Sequence, residues 1–178
     1  MISGARVKLR PKALGDAGDD YAWQTDPELA QLDAALLLTI SFKQYLREYT
    51  WELHFPSSSR CQFAVEAPDG KHIGNCAYYD VNEAKGEAEL GIMIGNRNYW
   101  DEGYGADTVT TLLSYIFQQT NLNRVYLKTL DLNIRAQKCF QKCGFQPYGR
   151  MSRDGYSFVL MELRRSRWEE RNQEPKPE

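Results

Sequence analysis

A change of hydrophobic period around two glycines, Gly103 and Gly105, constrains the fold more than any other feature of this sequence. Before the glycines, residues 87–94 alternate between two faces with the period of a strand. After them, apolar residues recur at the spacing of an amphipathic helix, at Val109, Leu112, Leu113, Ile116 and Phe117. The segment is therefore predicted to be a strand, a glycine-containing turn and a helix.

Such a turn has two interpretations. The first N–H groups of a helix have no partner within it, and the helix dipole favours negative charge there, so the glycines could form a phosphate cradle. The other interpretation is a tight turn without a ligand. Two common cradles are excluded, because Thr108 stands where a dinucleotide fingerprint needs a third glycine and no Gly-Lys-Ser/Thr ending of a P-loop is present.

The remaining periodicities predict a mixed α/β protein. Helices are predicted over 14–38, with an interruption or a new start at Pro27, and over 41–53, with Ser41 as the N-cap. A further helical stripe consists of Ala136, Cys139, Phe140 and Cys143. Strands are predicted at 7–10, 61–66, 72–81, 87–94, 124–129, 145–150 and 156–163. The helix that follows the glycines can connect two parallel strands by a right-handed crossover.

Composition limits the class of protein and its partners. The 178 residues suit one domain, predicted at 1–168, followed by a charged, flexible tail at 169–178. The net charge is −2 and no block of Lys and Arg stands out, so nucleic acid is not expected as a partner. No apolar run is long enough to cross a membrane, and the N-terminus has no apolar signal core, so we expect a cytoplasmic location.

The cysteines and histidines do not predict a metal site. The four cysteines form no CxxC pair, and His54 and His72 are isolated from each other in the sequence. Cys139 and Cys143 lie four residues apart, which places both on one face of a helix, most simply as buried or half-buried thiols.

Three segments together resemble the GNAT superfamily of acetyl-CoA-dependent N-acyltransferases. They are the strand from Glu89 to Gly95, the loop from Trp100 to Gly105, and an Asn-x-x-Ala segment at Asn133 that ends in Gly144-Phe145. The residues 9–11 and 159–163 are similar to the branch that includes the ribosomal-protein N-terminal (alanine/serine) acetyltransferases. The resemblance covers residues 6–168.

This resemblance implies a fold and a co-substrate. The fold would be a central, twisted, mostly antiparallel sheet that splays between two parallel strands and is flanked by helices. Acetyl-CoA would lie with its pyrophosphate on the amides of residues 101–106 and with its pantetheine arm along the strand before the loop. The residues implied in binding it are Ile92, Met93, Ile94, Trp100, Asp101, Glu102, Gly103, Tyr104, Gly105, Ala106, Asn133, Ala136 and Phe140.

The sequence departs from the family pattern in the loop and on the following helix. Trp100 replaces the usual Gln or Arg, and Asp101 and Glu102 are acids close to the expected diphosphate, so we expect them to point outward at the start of the helix. Phe140 stands where many relatives carry a tyrosine that protonates the departing thiolate, and a phenylalanine cannot donate a proton.

The resemblance also implies two catalytic residues. Glu89 would be the base that takes a proton from the amine; the alternative is a solvated glutamate on the open face of the sheet, with Glu87 as a second candidate for the base. The backbone amide at Met93 would stabilise the oxyanion.

The predicted function is transfer of an acetyl group from acetyl-CoA to a primary amine, either a protein N-terminus or a small amine, by direct attack on the thioester. A small-molecule acetyltransferase acting on a polyamine, an antibiotic or a nucleotide sugar is one alternative, and a non-catalytic acyl-CoA-binding module is the other. The acids between 16 and 33 either steer a cationic amine or form a solvated face. The protein is expected to be a monomer or a homodimer.

Overall fold

The computed structural model describes residues 1–173, and these build one eight-stranded sheet. Its spatial order is β1-β2-β3-β4-β5-β6-β8-β7, and every neighbouring pair is antiparallel except β5 with β6. The strands are β1 Ile2–Ser3, β2 Lys8–Arg10, β3 Arg60–Glu66, β4 His72–Asn82, β5 Glu87–Ile94, β6 Arg124–Leu130, β7 Gln146–Arg153 and β8 Tyr156–Arg164. The predicted mixed, mostly antiparallel sheet is confirmed.

The helices flank this sheet and bury its apolar side chains. They are α1 Ala17–Gln24, α2 Pro27–Leu32, α3 Phe42–His54, α4 Tyr104–Gln119, α5 Ile134–Lys142 and α6 Arg165–Gln173. The predicted stripe of α4 is fully buried in the main core, together with Leu9, Ile73 and Leu127 from the sheet. A second, smaller cluster joins Ala17 of α1 to Tyr45 and Tyr49 of α3. None of the helices in residues 1–173 is long and apolar enough to cross a membrane.

The sheet opens between its two parallel strands. β5 and β6 pair only at Glu87–Arg124, Ala88–Val125 and Glu89–Tyr126, although β5 continues to Ile94 and β6 to Leu130. Beyond Glu89, therefore, one edge of β5 lacks a strand partner within the described residues. The predicted splay between parallel strands is confirmed, and α4 is the connection between them.

Several predicted boundaries were wrong. The region 14–38 is not one helical stretch: it contains a 3₁₀ turn at Leu14–Asp16, then α1 and α2, and no helix between Asp33 and Ser41. Pro27 begins α2 because the ring is compatible with the first helical position, where the missing N–H has no partner to lose. Residues 169–173, predicted as tail, belong to α6, and residues 174–178 lie outside the described residues.

The short N-terminal strand β1, which the sequence did not predict, is held in place by the start of α4. The Asp107 carboxylate accepts hydrogen bonds from the backbone N–H groups of Ala5, Arg6 and Val7 at 3.2, 2.7 and 3.0 Å. One side chain thereby satisfies three backbone donors and joins the first turn of α4 to the chain between β1 and β2.

Replacing Asp107 by alanine is expected to lower the free energy of unfolding by about 2 kcal/mol, because charge-assisted hydrogen bonds to three donors disappear together. Urea unfolding measures the loss. Glu102→Ala, an exposed acid just before the same helix, is the matched control and should change stability by less than about 0.5 kcal/mol. Equal stabilities for the two variants would contradict the anchoring role of Asp107.

Candidate active site

The glycine loop has the backbone geometry that a phosphate cradle needs. Gly103 is the N-cap of the 16-residue helix α4 and has φ +85°, which glycine adopts without the steric cost that other residues incur. A Cβ on Gly105 would meet nothing nearer than the Cys139 Sγ at 3.6 Å and the Ile94 Cγ1 at 3.9 Å. The protein itself leaves space at Gly105, so the reason for a glycine there is not internal packing.

A cavity of about 540 Å³ lies against this loop, between the free edge of β5 and helix α5. Its lining contains three cations of α5, Arg135, Lys138 and Lys142, and two acids, Asp33 and Asp101. Free helix N–H groups, room at Gly105 and an excess of positive side chains all suit a phosphorylated ligand. The residues present therefore fit coenzyme A.

Trp100 has a structural role that explains the departure from the family pattern. Its indole N–H donates to the Ile94 carbonyl at 2.6 Å, which fixes the loop to the end of β5. The Arg135 guanidinium lies over the indole ring, 3.4 Å from its centroid, and Arg97 lies over the same ring at 5.5 Å. The aromatic ring thus holds a cation at the cavity by a cation–π interaction.

Most of the residues predicted to bind acetyl-CoA line this cavity, and two do not. Glu102 is exposed outside it, and Tyr104 packs edge-on against Tyr99 at 5.0 Å between ring centroids. Asp101 is exposed and has φ +60°, and it contributes to the rim of the cavity, so the outward direction expected for its carboxylate stays a prediction. The predicted residues that do line the cavity are Ile92, Met93, Ile94, Trp100, Asp101, Gly103, Gly105, Ala106, Asn133, Ala136 and Phe140.

Two predicted residues on α5 also support the helix that carries them. The Asn133 side chain caps α5 by accepting from the Ala136 N–H at 3.1 Å. Phe140 is buried against Phe145, with 5.8 Å between ring centroids, and also contributes to the cavity lining.

The sequence interpretation missed part of the lining. The cations Arg135, Lys138 and Lys142 follow one another at spacings of three and four, so a helical face of positive charge could have been recognised. The other missed residues come mainly from α2 and α5, and the sequence did not indicate that any of them lines a ligand site: Leu29, Leu32, Asp33, Tyr99, Ile134 and Cys139.

Glu89 is buried, so its interpretation as a solvated glutamate was wrong, and its role as the base stays a prediction. Only 4% of the residue is exposed, and it lines neither cavity. Its carboxylate pairs with the Lys128 Nζ at 2.8 Å and accepts from the Tyr79 hydroxyl at 3.2 Å. Glu87 is likewise engaged, with Arg124 at 2.7 Å.

A second, larger cavity of about 1090 Å³ meets the first at β5. Asp33, Ile92 and Met93 line both cavities. The larger cavity carries four carboxylates, Asp20, Asp33, Glu52 and Asp80, and one arginine, Arg60, which lies over the Tyr79 ring at 5.7 Å. The cavity whose features suit a phosphorylated ligand and the cavity with four carboxylates thus share part of β5.

A splayed sheet, a glycine-capped helix beside the splayed strand and two cavities that meet there define an acyl-CoA-dependent transferase. Residues 6–146 match the family described as Acetyltransferase (GNAT) domain, and the chain belongs to that family. It is an acetyl-CoA-dependent N-acetyltransferase, with acetyl-CoA as co-substrate.

Individual relatives are similar over most of the chain. An uncharacterized N-acetyltransferase p20 from Bacillus licheniformis is 27% identical over 146 residues, which are 81% of each chain. The spermidine N-acetyltransferase from Vibrio cholerae, solved with CoA and spermine, superposes with a TM-score of 0.79 at 20% identity over 91% of this chain and 97% of that one. The aminoglycoside acetyltransferase AAC(6')-Ib with coenzyme A gives 0.77 at 18% identity over 94% and 99%. The similarity to the ribosomal-protein branch stays a prediction.

Proposed function

We propose that this enzyme acetylates a small polycationic amine, such as a polyamine or an aminoglycoside, in preference to a protein N-terminus. The observation that carries the proposal is the acidic cavity that meets the CoA-binding cavity at Met93. Spermine is bound in the spermidine N-acetyltransferase structure, and the aminoglycoside enzyme has the same fold, which supports this class of acceptor.

The charges of the acceptor cavity favour a ligand with several ammonium groups. Asp20 is already paired with Lys12. Asp33, Glu52 and Asp80 have no ion-pair partner within residues 1–173, and Arg60 is the one cation of the lining. Three free carboxylates around one chamber attract a polyamine more strongly than the single charge of a protein N-terminus.

Different residues of the chain would bind acetyl-CoA, stabilise the oxyanion and move the proton of the amine. The amides of the glycine loop and the cations of α5 would hold the CoA phosphates, and the backbone N–H at Met93 would stabilise the oxyanion. The predicted role of Glu89 as base would require Tyr79, which lines the acceptor cavity and donates to Glu89, to carry the proton between them. Phe140 cannot protonate the thiolate, which leaves with a proton from the amine or from solvent.

The proposal is tested by steady-state kinetics with spermine, kanamycin and a peptide with a free N-terminal alanine. We expect spermine or kanamycin to have the higher kcat/KM. A Glu52→Gln, Asp80→Asn double variant should raise KM for that amine about tenfold, because two attractions of under 1 kcal/mol each are lost, and should leave kcat unchanged.

The peptide is the internal control, because its single charge makes it less sensitive to the same variant. A higher kcat/KM for the peptide than for both small amines, or an unchanged KM in the double variant, would contradict a polycationic acceptor.

A further inference from the structure

Asp33 occupies a position that no other carboxylate of the described residues shares. It lines both the CoA-binding cavity and the acceptor cavity, together with Ile92 and Met93. It follows the last residue of α2, and its backbone N–H donates to the Leu29 carbonyl at 3.0 Å. Its side chain has no hydrogen bond or ion pair to any residue within 1–173, so the carboxylate is free to act on a ligand.

We propose that Asp33 is the general base of the reaction and removes the proton from the acceptor ammonium at the junction of the two cavities. The proposal rests on the proposed function, because it requires a cationic amine in the acidic cavity. The carboxylate of Glu89, by contrast, is buried, already bonded to Lys128 and Tyr79, and part of the lining of neither cavity.

The surroundings of Asp33 suit a base. Although solvent reaches the side chain, the protein around the junction raises the pKa of Asp33 to about 6 by desolvation, and the positive charge of Arg60 opposes part of that rise. A carboxylate with a higher pKa accepts a proton from an ammonium with a smaller energetic penalty. The other titratable and charged groups that line the same cavities are Asp20, Glu52, Arg60, Cys61, Cys76, Tyr79, Asp80, Tyr99, Asp101, Arg135, Lys138, Cys139 and Lys142.

Every proton of the proposed reaction has a defined donor and acceptor. The ammonium gives one proton to the Asp33 carboxylate, and the neutral nitrogen forms a bond to the thioester carbonyl carbon. The carbon–sulfur bond then breaks, the sulfur leaves with its electron pair, and the second proton of the nitrogen passes to it, directly or through solvent. Asp33 finally releases its proton to solvent, so the products are an acetamide, the CoA thiol and one proton.

The test is the pH dependence of kcat/KM for spermine in the wild-type protein and in Asp33→Asn. A base that acts on the ammonium gives a profile that rises to a break near pH 6 and is then flat up to the pKa of the amine. Asp33→Asn should lose that break and rise with unit slope up to the pKa of the amine, because only the neutral amine then reacts. At pH 7 its kcat/KM should be about 100-fold lower.

Two other variants make the test specific. Asp80→Asn, an acid of the acceptor cavity away from the junction, should keep the break. Glu89→Gln should keep it as well. A break that survives in Asp33→Asn, or that disappears in Glu89→Gln instead, overturns the proposal.

Thermal melting provides a readout that needs no acceptor. Because the folded pKa of Asp33 lies above the unfolded value, its ionised form destabilises the fold at neutral pH, and this cost disappears as the pH falls below both values. Asp33→Asn should therefore melt higher than wild type at pH 7.5 but not at pH 3.5. If Asp33→Asn does not melt higher than wild type at pH 7.5, the assignment of the base to Asp33 is overturned. If the wild-type protein acetylates none of the three amines, the proposed function is contradicted instead.

Discussion

Gly105→Glu is expected to weaken acetyl-CoA binding by at least about 100-fold while leaving the protein folded. The new Cβ would lie 3.6 Å from the Cys139 Sγ and 3.9 Å from the Ile94 Cγ1. These are ordinary contact distances, so the fold has room for it. A carboxylate in the first turn of α4 also interacts favourably with the helix dipole, and any non-glycine residue lowers the entropy of the unfolded chain. The same carboxylate would occupy the cradle and repel a phosphate about 4 Å away by several kcal/mol.

Titration calorimetry with acetyl-CoA measures this effect, and thermal melting shows whether the variant is folded. Gly105→Ala separates the volume from the charge and should weaken binding less. Glu102→Gln is the control for a charge change in the same loop, because Glu102 lies outside the cavity, and should bind normally. An unchanged Kd in Gly105→Glu would contradict a phosphate cradle at the start of α4.

Local periodicity was enough to predict the elements around the cradle. The stripe of α4 and the alternation of β5 are properties of consecutive residues, and the structure places both as predicted. The short pairing of β5 with β6 came from the family resemblance, because nothing in either strand alone shows that their ladder stops at Glu89. The region from Asp33 to Ser41 could not be predicted as non-helical, since its run of alanine and leucine favours a helix by propensity alone.

Partners that are distant in the sequence determine whether an acidic side chain is buried and paired or free. Glu89 was expected at a cleft or in solvent, but Lys128, 39 residues away in the chain, pairs with it in the structure. Asp33 is one of several acids between 16 and 33 that the sequence does not distinguish from one another, and only the tertiary structure places it at the junction of the cavities. A single sequence shows which residues can carry charge, but not which of those charges are already neutralised by a partner.

Asp20 of α1 illustrates the same limit, because it is neither solvated nor free of a partner. Asp20 is 3% exposed and pairs with the Lys12 ammonium, whose side chain is 7% exposed. Asn75 of β4 joins the pair by donating to the Asp20 Oδ1 at 2.5 Å and accepting from Lys12. This network fixes α1 to the sheet beneath the acceptor cavity, which Asp20 and Asn75 also line.

Asp20→Ala is therefore expected to lower the free energy of unfolding by about 3 kcal/mol at pH 7, because it leaves the buried ammonium of Lys12 without its counter-charge. Burial already lowers the pKa of Lys12, and without Asp20 that pKa falls further. When the folded pKa of a lysine lies below its unfolded value, the charged form of the lysine destabilises the fold, and the cost disappears on deprotonation. The stability that Asp20→Ala loses relative to wild type should therefore become smaller as the pH rises from 7 towards 9.5.

Asp19→Ala is the control, one residue earlier on the same helix with 55% of its side chain exposed, and should cost at most about 1 kcal/mol at either pH. Urea unfolding of both variants at the two pH values decides the matter: a loss in Asp20→Ala no larger than that in Asp19→Ala would show that the pair contributes little to holding α1 on the sheet.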